Sequence, residues 1–123
     1  MTIAFWCLLA AGLLPYLAAG LAKTRAGFDN QLPRQWLSTL SGWRARAHAA
    51  QQNSFEAFPL FASAVGVAYA LHAPPAAVDK LALIFIAARL AYLAAYLANL
   101  ATLRTVVWII GMVCVIKIFL AGT

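Results

Sequence analysis

Ile3–Ala22, "IAFWCLLAAGLLPYLAAGLA", carries no charged residue. That length is enough to cross the hydrocarbon core of a bilayer, for which about 20 apolar residues suffice. A soluble chain would have to hide such a segment, and one of 123 residues buries too small a share of its surface to do so. The remaining sequence has the same character. Hydrophobic residues make up 65% and charged residues 10%, where soluble proteins average about a quarter charged. With a mean hydropathy of +0.85, the chain reads as an integral membrane protein. Its apolar runs are too long and too continuous for barrel strands, which alternate.

Four such runs are expected as transmembrane helices, over about 3–22, 43–72, 78–100 and 105–122, forming one all-α four-helix domain across 1–123. The first lacks a basic leader and a cleavage site, so it reads as a retained span rather than a signal peptide. Between the first two lies the only long polar segment, "KTRAGFDNQLPRQWLSTLSG". Pro33 and the residues after it predict a short helix with Trp36 at headgroup level, and Ser41 is a plausible N-cap for the second span. Pro74-Pro75 marks a tight second connection, and the third is short as well. Frequent alanines and glycines favour close helix packing or oligomerisation.

Lys23, Arg25, Arg34, Arg44 and Arg46 face a single Asp29 in and after the first loop. This excess places the first and third loops in the cytoplasm and both termini on the opposite side. The net charge of +6 is then explained by an anionic leaflet, or by attraction of anionic substrates, without a nucleic-acid partner.

Against this background the polar residues within the spans are informative, because a charge at a helix centre costs about 2.5–3.5 kcal/mol on insertion scales. The second span opens as "RARAHAAQQNSFEAFPLF". Its Gln52, Asn53 and Glu56 share one helical face, and Arg46 lies two turns earlier on roughly the same face. In the third span Arg89, Tyr92, Tyr96 and Asn99 fall within one arc. Two readings fit: an Arg–Glu and amide network that fastens helices, with Arg89 paired to Glu56, or a polar slot between the second and third spans. Arg104 near the start of the fourth span opposes that helix's dipole, so it is either a cytoplasmic anchor or a group that stabilises an anion. Pro15 and Pro59 each remove an intrahelical hydrogen bond, and Pro59 does so beside the polar cluster. His48 and His72 are expected at opposite faces, which argues against a metal site. Cys7 and Cys114 are isolated in apolar runs and read as inert buried thiols.

"RARAHAAQQNSFEAFPLF" resembles the second-helix signature of the membrane-associated proteins in eicosanoid and glutathione metabolism. The resemblance extends to "ARLAYLAAY" and the basic residue of the fourth span, and "FDNQLPR" with "TLSGWRARA" is similar to the bacterial branch. It implies a homotrimer of four-helix subunits in a bacterial inner membrane, with glutathione as co-substrate between neighbouring subunits. Asn53 and Glu56 would then bind the peptide's backbone and amino group. Arg46, Arg89, Tyr92 and Tyr96 would line the slot or hold carboxylates, and Arg104 would stabilise the thiolate. Two positions depart from the family pattern: Ala49 stands where many members have arginine, and Arg104 follows Tyr96 at a longer interval than in the synthases.

The expected function is therefore a membrane glutathione transferase or peroxidase acting on lipophilic electrophiles, with membrane lipids and further copies of itself as partners. The alternative on the same fold is a non-catalytic lipid-binding scaffold. A small proton-coupled exporter fits less well, because exporters of this size carry their carboxylate in the first helix, which here has none.

Overall fold

The computed structural model describes residues 1–123, with five α-helices and no strand: α1 (Ile3–Ala22), α2 (Pro33–Leu37), α3 (Gly42–Ala70), α4 (Pro75–Leu97) and α5 (Ala101–Leu120). The fifth helix is α2, the short helix expected after Pro33, which that proline opens. Proline suits that first position because its missing N–H would be unpaired there anyway. Three helices, α1, α4 and α5, are long and apolar enough to cross a membrane, so the protein is an integral membrane protein. The fourth long helix, α3, falls outside that set because its first half is polar. Its 29 residues nevertheless reach about 43 Å at 1.5 Å per residue.

Two boundaries differ from the sequence expectation. α4 starts at Pro75 rather than near Val78, since a proline fixes the φ angle that a first helical residue needs. α5 starts at Ala101 rather than near Thr105, and the amide of Arg104 already bonds the Leu100 carbonyl at 2.9 Å. Both preceding helices end in left-handed residues, His72 (φ 57°) and Asn99 (φ 60°). Beyond them the amides of Ala73 and Leu100 reach back to the carbonyls of Ala68 and Ala95, at 2.9 and 2.8 Å. This is the Schellman arrangement, made here without glycine.

The four long helices run antiparallel, so both chain termini lie at one end. There α1 has no side-chain cap of its own, and Asp79 of α4 supplies one by accepting from the Ala4 amide at 2.8 Å. Packing is tightest between α1 and α3 and between α4 and α5, with α4 also bearing on α1 and α3. Small residues line the contacts: Ala4, Cys7, Ala11 and Ala18 on α1, and Ala47, Ala50, Ala64 and Ala68 on α3. Small side chains let membrane helices approach closely. At the centre Phe61 and Phe85 stack with ring centroids 4.1 Å apart. Gly111 of α5 faces the same Phe85, whose ring would lie 3.7 Å from an added methyl group. At the other end Leu37 of α2 is buried with Ala22 and Ala47, which pins the long loop across α1 and α3.

The left-handed caps generate a prediction. His72→Gly should raise stability by about 0.5–1 kcal/mol, because glycine relieves the Cβ clash at positive φ. Asn99→Gly should gain less, since asparagine tolerates that conformation. Unfolding midpoints in detergent would show this order, and a loss of stability in His72→Gly would contradict it.

Candidate functional site

The polar residues of the spans gather in the half of the bundle nearest the long loop. Ala47 packs against Ala22, the last residue of α1. Glu56, two and a half turns further along α3, therefore lies about 13 Å deeper into the bundle. Arg89 lies a little over two turns before Leu97, the end of α4 that packs against the same cluster, and so at a similar depth.

Arg89 is 4% exposed, which makes it the only buried charged side chain. Its Nη2 donates to Ser54 Oγ at 3.3 Å, and the Ser54 hydroxyl donates in turn to the Ala50 carbonyl at 2.9 Å. The guanidinium lies over the Tyr92 ring, 4.3 Å from its centroid. Tyr92 meets Tyr96 edge to face at 5.6 Å, and Arg104 of α5 covers Tyr96 at 4.3 Å. The result is a continuous column of serine, arginine, two tyrosines and a second arginine that ties α3, α4 and α5 together. Cation–π contacts of this kind grow stronger away from water. Two cavities of about 10 Å³ flank Arg89, one toward α1 and one toward α5, each large enough for one water.

The structure thus joins four of the seven residues singled out from sequence: Arg89, Tyr92, Tyr96 and Arg104. Arg46 attaches at the end of the column, where its Nη2 donates to the Leu97 carbonyl at 3.1 Å. A cation there also complements the C-terminal end of the α4 dipole. Asn53 and Glu56 bond each other at 3.5 Å and make no hydrogen bond to the column. The Arg89–Glu56 pair of the first reading is not formed: Arg89 bonds Ser54 instead, and Glu56 is exposed on the helix surface. Asn99 leaves the arc because α4 ends at Leu97, and Gln52 is exposed. Two side-chain atoms of the candidate set, Arg46 Nε and Asn53 Oδ1, are enclosed without a partner. Both atoms are enclosed within the chain itself, as is Arg44 Nε.

Arg104 stands one turn inside α5, whose first amides receive no side-chain cap from Leu100. An open depression of about 400 Å³ is lined by Asn99–Leu103, without Arg104. His48 sits 3.3 Å from Gln51 Oε1, and Cys7 and Cys114 are free thiols buried in the core. Sequence reasoning missed Ser54. It continues the stripe of small buried residues Ala47 and Ala50, and this placement is the signal that it faces inward and not toward Asn53.

This fold and its belt of buried and half-buried polar groups define a small polytopic helical membrane protein with a basic, aromatic-braced polar half. The MAPEG family model matches residues 3–123, essentially the whole chain, and the chain belongs to the MAPEG family. That family includes glutathione transferases and peroxidases among other members. No curated protein and no solved structure matches the chain.

The bond between Ser54 and Arg89 can be tested through stability. Ser54→Ala should cost about 1–3 kcal/mol, because a buried guanidinium loses its acceptor. In an Arg89→Leu background the same substitution should be close to neutral. Equal losses in the two backgrounds, measured by unfolding in detergent, would show that the pair is not coupled.

Proposed function

We propose that this protein is a glutathione-dependent transferase or peroxidase of a bacterial inner membrane, acting on lipophilic electrophiles. The observation that carries the reading is Arg104, fixed over Tyr96 one turn inside α5, whose first amides have no side-chain cap. A guanidinium and free helix amides together favour an anion, and the anion required by this chemistry is a thiolate. The thiol proton leaves to water, the sulfur bonds the electrophilic carbon, and a leaving group such as halide departs with its electron pair. In the peroxidase variant, two glutathione thiols reduce a lipid hydroperoxide to its alcohol and water, and a disulfide forms.

Glutathione would use the remaining candidates in distinct ways. Exposed Glu56, with Asn53 bonded to it, supplies an anion for the peptide's ammonium and N–H groups. Arg46, half-buried beside the Leu97 carbonyl, supplies the cation for a carboxylate. Arg89 and Tyr92, being buried, hold Tyr96 and Arg104 in place and do not themselves touch the peptide. An exposed carboxylate at the depth of Glu56 is costly toward lipid, which supports a neighbouring copy covering it. The unit that completes the slot is accordingly a homotrimer, with glutathione entering from the cytoplasm, the apolar substrate from the lipid, and both termini on the far side. Ala49 favours a second reading, a lipid-binding scaffold of the same fold, since no cation stands one turn before Asn53.

Purified protein should conjugate glutathione to an activated aryl halide, and Arg104→Ala should lower that rate about 100-fold. Tyr96→Phe, which keeps the ring under Arg104, should retain most activity, whereas Tyr96→Leu should not. Absence of glutathione binding by calorimetry at millimolar concentration would overturn the proposal and favour the scaffold.

A further inference from the structure

The long loop at the basic end holds its cations in an unusual way. Lys23 Nζ lies over the Phe28 ring at 5.0 Å, and Phe28 meets Trp36 edge to face at 5.0 Å. Arg44 covers the Trp43 ring at 4.4 Å. Arg25 and Arg34 are exposed. The one acidic residue of the loop, Asp29, spends its Oδ1 on the backbone amides of Gln31 and Leu32, at 2.9 and 3.4 Å. Lys23 and Arg44 therefore rest on aromatic faces, Arg25 and Arg34 face outward, and the charge of all four is left uncompensated. Leu37, buried against Ala22 and Ala47, anchors this layer to the ends of α1 and α3, while Leu32 and Trp43 stay exposed on it.

We infer that the segment from Lys23 to Arg44 is a collar that binds anionic phospholipid headgroups. Three features fit this occupant. The collar lies where apolar helices end, so headgroup phosphates are at hand. Its aromatic residues belong to the kind that settle at the membrane interface. Its exposed leucine and tryptophan suit acyl chains beside the cations, which a soluble anion would not use. Unlike the slot of the proposed reaction, the collar needs no glutathione, and its test is independent of activity.

The test uses the full chain with Trp6→Phe and Trp108→Phe, so that fluorescence comes from Trp36 and Trp43. It is reconstituted in vesicles of equal parts phosphatidylglycerol and phosphatidylcholine, with bromine on one lipid or the other. Brominated phosphatidylglycerol should quench more strongly, and rising salt should weaken this preference. Each of Lys23→Gln, Arg25→Gln and Arg34→Gln should lower the relative association of phosphatidylglycerol up to about fivefold. Lys117→Gln, at the opposite end, should leave it unchanged. Equal quenching by the two lipids would overturn the inference, as would a preference that survives the triple substitution in folded protein. A preference abolished by inorganic phosphate but not by chloride of the same ionic strength would assign the collar to free phosphate instead.

Discussion

Arg89 is a charge placed inside a small membrane bundle with a hydroxyl and a phenol ring, not a carboxylate, to receive it. Taking such a charge out of water costs several kcal/mol unless the surroundings compensate. Compensation here is divided between Ser54 Oγ and the face of Tyr92. The bond to Ser54 needs α3 and α4 in one register, and the Arg104–Tyr96 contact adds α5 to it. Sliding α4 by a turn would strip Arg89 of Ser54, and turning α5 would lift Arg104 from Tyr96. The column therefore fixes both the packing of this half of the bundle and the position of Arg104.

The two ends of the molecule differ in how they treat charge. At the terminal end a single carboxylate, Asp79, closes the start of α1 and is used up in doing so. At the loop end Lys23, Arg44, Arg104 and Arg46 lean on Phe28, Trp43, Tyr96 and the Leu97 carbonyl, Arg25 and Arg34 face outward, and none is neutralised by a neighbouring acid. That asymmetry gives the loop end a positive field, which suits both an anionic membrane surface and the thiolate of the proposed reaction. Glu56, exposed on α3, is the exception at this depth, and it requires something outside its own chain to cover it.

The helical and membrane character was plain in the sequence because charge-free runs of about 20 residues admit few other structures. Family membership was legible from the polar start of α3 together with "ARLAYLAAY", and the match over residues 3–123 agrees. Helix ends were harder. Asn99 looks like a continuation of the Arg89–Tyr92–Tyr96 arc, yet it takes the left-handed conformation that stops α4. Pro75 looks like a break, yet it opens a helix. Within the site, the shared face of Asn53 and Glu56 is conspicuous in sequence, while Ser54, one residue away, is what Arg89 binds. Spacing tells which residues share a face; it does not tell which face turns inward when both carry polar groups.

The central claim is that Glu56 and Arg104 serve one glutathione slot shared between neighbouring copies. Subunit mixing tests it directly, using glutathione binding by calorimetry on three preparations: Glu56→Gln alone, Arg104→Ala alone, and the two co-expressed. Each variant alone should bind poorly, and the mixed assembly should recover part of the native binding, because some slots then combine an intact Glu56 with an intact Arg104. Binding in the mixture no better than in the separate variants would contradict the shared slot.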